Sequence, residues 1–145
     1  MVLLLACGDE PQPKAPEYRP AHDSERFVFR IVKALGEGRI DVLSEMVAES
    51  ARDEYDVASF DALRLKLDRE IGPLTEGRVL KVSVEPIMRE DGTVGLFGLA
   101  RAEFPRGFAD LRVQMVCAPQ PKDTEYCAPP YAIEAMSLEP LVKPR

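Results

Sequence analysis

The apolar residues of this chain change period at Gly77, and that change limits the folds open to it. Before Gly77 they recur every three or four residues. Phe27, Val28, Ile31, Val32 and Leu35 make one helical stripe, with Arg26, Arg30 and Lys33 on the other face. Asp23-Ser24 supplies an N-cap, and Gly36-Glu37-Gly38 a stop. Asp41 is placed to cap a second, shorter helix carrying Val42, Leu43, Met46 and Val47. Ser59 is placed to cap a third, with Phe60, Leu63, Leu67 and Ile71 inward and Arg64/Asp68 and Lys66/Glu70 spaced as i,i+4 pairs outside. Gly72-Pro73 ends it.

After Gly77 the period is two. Leu80, Val82 and Val84 alternate with Lys81, Ser83 and Glu85, and Pro86 marks an edge or a bulge. Asp91-Gly92 is a hairpin signal, followed by a strand over 93–104 in which Gly95 and Gly98 mark bends or bulges. Pro105-Arg106-Gly107 turns the chain into Leu111, Val113, Met115 and Cys117, alternating with Arg112 and Gln114. A fourth strand is expected over 131–138, before a Pro-containing tail. Helices first and strands after predict an α+β class, with three N-terminal helices packed on a curled four-stranded antiparallel sheet. The core then pairs Phe27, Ile31, Leu35, Leu63, Leu67 and Ile71 with Val82, Val84, Leu111, Val113 and Met115.

The step from the first helix through Gly36-Glu37-Gly38-Arg39-Ile40-Asp41-Val42-Leu43, the third helix and the hairpins together resemble the cone-shaped superfamily of nuclear transport factor two, ketosteroid isomerase and cystatin-like domains. The resemblance covers about 23–138 and is one of architecture. It implies a sheet curled over helices, and in the enzymatic members an Asp, His or Tyr in the mouth of the cone.

The N-terminal segment Leu4-Leu5-Ala6-Cys7 resembles the lipobox of bacterial lipoproteins. That resemblance implies a thiol carrying diacylglycerol on Cys7, with two or three acyl chains giving stable anchoring. The apolar run before it is shorter than a signal-peptide core, and no Lys or Arg precedes it. Pro11, Pro13, Pro16 and Pro20 then interrupt any helix or strand, as in a semi-extended tether. The expected organisation is a signal-peptide remnant at 1–6, a lipid-anchored tether at 7–22 and one α+β domain at 23–145. With Cys7 committed to lipid, Cys117 and Cys127 remain. They flank a turn-rich loop between two strand-like runs and are expected to form a structural disulfide in an oxidising compartment.

Composition narrows the function. Lys and Arg total 19 against 25 Asp and Glu, a net charge of −6, with no basic run. Nucleic-acid binding needs clustered cations and is not expected. No apolar stretch approaches the roughly 20 residues of a membrane-spanning helix. The single His22 lies in or beside the tether, so a catalytic His or a zinc site is not expected. The candidate polar groups on the sheet are Arg101, Glu103, Asp110, Arg112, Tyr126 and Tyr131. Alternation of charged and apolar residues on antiparallel strands reads more simply as a solvated face. Glu49, Asp53, Glu54 and Asp56 lack the spacing of a calcium loop and read as an acidic surface. No catalytic residue, metal or cofactor is expected. The expected protein is non-enzymatic and faces the periplasm or the exterior of a bacterial cell envelope. It attaches to the membrane through the lipid on Cys7 and binds an envelope protein, as an accessory subunit of a secretion, motility or envelope complex does. The alternative is a small-molecule isomerase or dehydratase, marked by an inward carboxylate such as Asp110 or Glu103 in an apolar cavity beside Tyr126 or Tyr131.

Overall fold

A computed structural model describes residues 16–117 and 127–144. The class is α+β. Three helices, α1 (Asp23–Gly36), α2 (Ile40–Met46) and α3 (Val57–Glu70), precede four strands, β1 (Arg78–Met88), β2 (Val94–Phe104), β3 (Gly107–Val116) and β4 (Ala132–Val142). The strands form one open antiparallel sheet in the order β1-β2-β3-β4.

The helix starts differ from the sequence reading. The N-cap position of α1 is His22, with no side-chain cap. Instead the Glu25 carboxylate reaches back, accepting from the Ala21 N–H at 3.1 Å and the Tyr18 hydroxyl at 2.7 Å. Asp23 and Ser24 are already inside the helix, and Asp23 pairs with Arg26 at 2.7 Å. Asp41 likewise sits in the first turn of α2 rather than at its cap, where a carboxylate still favours the helix dipole. For α3 the cap is Asp56, three residues before the expected Ser59. Asp56 Oδ1 accepts from both the Ser59 N–H and the Ser59 hydroxyl at 2.8 Å. The Arg64/Asp68 pair does not form. Arg64 lies 3.8 Å from Asp61 instead, and Asp68 Oδ1 accepts from the Leu74 N–H where the chain leaves α3. Among the described residues Lys66 and Glu70 make no ion pair either. The stop of α1 is as expected. Gly38 takes φ 72°, a left-handed geometry that favours glycine, and the Arg39 N–H returns to the Ala34 carbonyl.

One face of the sheet carries the core. Val28, Ile31 and Leu35 of α1 and Phe60, Leu67 and Ile71 of α3 and its end are buried with Val79, Val82, Leu111, Val113, Met115 and Ile133. Leu63 and Val84, expected in the core, are only partly buried at its margin. The inward residues in the middle of β2 are small: Gly98, Ala100 and Ala102. A Cβ on Gly98 would lie 2.6 Å from Val28 Cγ2, so this glycine sets how closely α1 approaches the sheet. It is not a bulge; β2 keeps register with β1 across Gly95 and Gly98, and with β3 across Gly98. The irregularities fall elsewhere, between Val79 and Lys81 in β1 and opposite Gln114/Met115 in β4. The fourth strand also runs past the expected end at Leu138 to Val142. Its Pro140 is accommodated because β4 is an edge strand, where a missing N–H removes no ladder bond.

Both edges are met by groups outside the sheet. On β1, the Val79 N–H donates to Glu17 Oε2 at 2.9 Å and the Val79 carbonyl accepts from the Tyr18 N–H at 2.8 Å. Lys33 holds Glu17 from α1 at 3.2 Å. On β4, the Ala48 N–H donates to the Ile133 carbonyl at 2.7 Å. The Tyr55 hydroxyl both accepts from the Met136 N–H at 3.1 Å and donates to the Met136 carbonyl at 3.2 Å. Two substitutions separate core from edge. Ile31→Ala is expected to lose about 2–5 kcal/mol in denaturant unfolding. Tyr55→Phe should lose about 1–2 kcal/mol, since Met136 is left with two unpaired backbone groups.

Candidate functional site

The face of the sheet turned away from the helices is covered by no described element. Strand register arranges it in rows. Lys81, Arg101, Asp110 and Glu139 lie side by side across the four strands. The next row is Ser83, Leu99, Arg112 and Ser137, and the one after is Glu85, Phe97, Gln114 and Ala135. Leu99 is 40% exposed at the middle of this face, and Leu141 46% exposed toward one end. Lys81, Ser83, Leu99, Arg101, Asp110 and Arg112 line a shallow open groove of about 320 Å³.

Within the face, Arg101 and Asp110 form a bidentate pair, Nε to Oδ1 and Nη2 to Oδ2, both 2.7 Å. The Arg101 hydrogen bonds hold the Asp110 carboxyl below its usual range against the opposing effect of partial burial. Glu103 accepts from Arg78 at 2.7 Å and pairs with Lys143 at 3.2 Å, and these two, Arg78 first, lower its pKa. Arg101 and Lys143 both lie over the Phe108 ring, 5.7 and 5.4 Å from its centre. Asp110 and Glu103 are therefore ion-paired on the outer face rather than inside an apolar cavity.

A second cluster closes the opposite end of the face. Arg89 donates to both oxygens of Glu134, at 3.1 and 2.6 Å, and to Asp91 and Thr93 at 3.0 and 2.7 Å. Gln114 adds a bond to Glu134 at 2.9 Å. The Arg89 hydrogen bonds draw the Glu134 pKa down. Sequence reasoning missed this cluster because Glu134 faces outward only through the irregularity in β4. The nearest signal was Arg89 beside the Asp91-Gly92 turn.

The other expected residues are dispersed. Tyr131 lies before β4, its ring meeting Phe27 edge-on at 5.8 Å. His22, Pro86, Leu96, Cys127 and Tyr131 line an open groove of about 420 Å³ at that end of the domain. Asp53 and Glu54 are exposed, and Asp56 is spent on its helix cap. Among the described residues no three His, Cys, Asp or Glu side chains are grouped to hold a metal, and no polar or charged residue is buried. Cys117 and Cys127 lie at disulfide distance, with Cα atoms 5.4 Å apart. Cys7 and Tyr126 lie outside the described residues. No described helix is long and apolar enough to cross a membrane. Comparisons with family models, with curated proteins and with solved structures find no match to this chain.

The Glu134 cluster yields a pH prediction. Its folded pKa lies below the ordinary 4.5, so the contribution is complete above that pH and is lost as pH falls through the folded value. Glu134→Gln is expected to lower unfolding free energy at neutral pH by about 1–2 kcal/mol. The difference from the parent chain should shrink as pH falls below the ordinary carboxylate value. Chemical unfolding across pH 3–7 reads both effects.

Proposed function

We propose that this chain is a lipid-tethered, non-enzymatic binding protein of a bacterial cell envelope, anchored through Cys7 and presenting its domain to an envelope partner. The observation that carries the reading is the placement of the chain ends. Glu17 and Tyr18 meet β1 at its first residues, and Val142 pairs with Gly107 at the same end of the sheet. The pair Cys117 and Cys127 lies at the opposite end, where Cys117 approaches the Val94 carbonyl. A tether leaving from Glu17 toward a membrane would leave the far end and the uncovered sheet face pointing away from the lipid. Residues 7–16, fully extended, reach at most about 35 Å, close to the length of one strand here.

The lipobox resemblance and the Pro-rich segment support the anchor, and the cysteine pair supports an oxidising compartment. The cone superfamily is the architecture proposed for the domain, with the sheet curled over its helices. The ion-paired state of Asp110 and Glu103 favours partner binding over proton transfer. A general acid or base is typically held in a drier site with a displaced pKa suited to transfer near neutral pH.

Intact-mass analysis of protein extracted from its native envelope is expected to show Cys7 as the first residue, with the mass of diacylglycerol and an N-acyl chain. An unmodified thiol at Cys7 would remove the anchor from the reading. A bond between Cys117 and Cys127 is expected in the same material. Replacing both by Ser should lower stability by about 2–3 kcal/mol through loop closure, while partner capture from detergent-solubilised envelope is retained.

A further inference from the structure

We propose that the end of the domain where the tether joins rests directly on an anionic lipid surface, through the corner formed by the β2–β3 turn and the last residues of β4. Strand register places Arg78, Glu103, Phe108 and Leu141 side by side in the last row at this end. Glu17 meets Val79, beside Arg78, at one side of the row. Leu141 stands at the other side, three strand spacings or about 14 Å away. A tether leaving from Glu17 therefore holds this row, and not the Met88 end, nearest the membrane. The orientation rests on the reading of Cys7 as the anchor; the surface itself is read from the described residues.

The corner is both apolar and basic. Leu141 and Val142 are exposed, Val142 by 65%, and the Pro105-Arg106 turn beside them is exposed as well. Lys143 shares the Glu103 carboxylate with Arg78, so two cations meet one anion. Among the described residues Arg106 makes no ion pair; its Nη2 donates only to the Asp68 and Arg69 carbonyls, at 3.1 and 3.0 Å. The next row, Lys81, Arg101, Asp110 and Glu139, is balanced. The acids Asp68 and Glu76 belong to segments on the helix side of the sheet. The outer corner is thus positive in a chain of net charge −6. The opposite end also exposes an apolar side chain, Met88 at 73%, but there Arg89 stands among Glu90, Asp91 and Glu134. Only the tether end joins exposed apolar groups to unmatched cations. The strands hold the two ends about 30 Å apart, several screening lengths at physiological salt, so the acidic end does not oppose the contact. Leucine and valine side chains can enter the boundary between headgroups and acyl chains, while Arg106 and Lys143 meet lipid phosphates. The same corner is too small for a stable protein interface, which takes about 800 Å² per partner. A weak contact suffices beside a lipid anchor, because the tether raises its effective concentration.

The test uses the full chain carrying Cys7→Ser, so that no acyl chain contributes, in cosedimentation with vesicles of phosphatidylglycerol and phosphatidylethanolamine in equal parts. Half of the chain is expected to be bound near about 1 mM accessible lipid, about tenfold weaker than one myristoyl chain gives. Vesicles of phosphatidylcholine alone should bind it about tenfold less. Lys143→Gln should weaken anionic binding by about fivefold, and Leu141→Ser by about threefold or more, while Met88→Ser leaves it unchanged. The chain holds no tryptophan, so Leu141→Trp and Met88→Trp each add a single fluorescent reporter at an exposed site. With anionic vesicles carrying brominated acyl chains, Leu141→Trp is expected to shift to the blue and be quenched, and Met88→Trp to do neither. Thermal melts establish that each variant is folded, as expected for exposed residues. A chain that stays unbound at about 5 mM anionic lipid, well above the expected half-point, overturns the proposal. Equal binding to both kinds of vesicle, or equal quenching of both reporters, also overturns it. So does a Leu141→Trp emission already shifted to the blue before lipid is added, which marks a protein contact at the corner. None of these results depends on the lipid of Cys7, which its own mass measurement decides.

Discussion

The approach of α1 to the middle of the sheet is the contact on which the rest of the molecule is built. Val28 and Ile31 are fully buried, and Val28 sits where a side chain on Gly98 would have to go. Gly98, Ala100 and Ala102 take up little space on the inner side of β2, so the helix supplies the volume that the strand leaves open. Tight packing of this kind fills the inner face. Leu111, Val113 and Met115 on β3 and Ile133 on β4 complete it, with α3 bringing Phe60 and Leu67 from the side. The inner face is thereby occupied by apolar side chains, and the charged residues of the strands are directed outward.

An open sheet of four strands has two edges, and exposed edges invite unwanted pairing. Here each is met by a polar group from a non-strand segment. Glu17 stands in for a strand at Val79, and the Tyr55 hydroxyl occupies both backbone groups of Met136. Pro86 and Pro140 remove one N–H from each edge strand. The edges are therefore partly closed to β-pairing, while the outer face is open. The two surfaces have different prospects, and the face is the better one for a partner.

The class, the order of elements and most of the core were legible because they depend on periodicity, which a chain displays directly. The stripe from Phe27 to Leu35 and the alternation from Leu111 to Met115 carry burial on their own residues. Helix starts were less legible. Several residues near each start have cap chemistry, and only tertiary context selects among them. Glu25 holds the start of α1 because Tyr18 is brought beside it by pairing with β1, a contact between distant parts of the chain. Bulges were illegible for a related reason. Of the glycines that suggested them, Gly98 serves the approach of α1 and Gly95 lies against the Met115 carbonyl and Arg89, and the true irregularities at Leu80 and Glu134 carry no glycine or proline. The outward direction of Asp110 and Glu103 followed from alternation, but their partners did not. Arg101 opposite Asp110 requires the β2–β3 register, which the short turn at Pro105-Arg106 sets.

Charge distribution explains why the outer face differs from the rest of the surface. The chain carries a net charge of −6, which opposes the approach of acidic surfaces to most of the molecule. The outer rows hold Lys81, Arg101 and Arg112 against Glu85, Asp110 and Glu139, so these three rows are neutral together. Neutrality alone would make it indifferent to orientation. Its lateral separation of cations on β1 and β2 from anions on β3 and β4 removes that indifference within the Lys81 row. Electrostatic arrangement of this kind selects orientation and register more than it adds affinity. The exposed Leu99 near the centre then supplies apolar contact once the register is chosen. The in-plane pair of Arg101 with Asp110 holds both side chains extended along the surface before any partner arrives. That lowers the conformational entropy lost when they meet a facing residue.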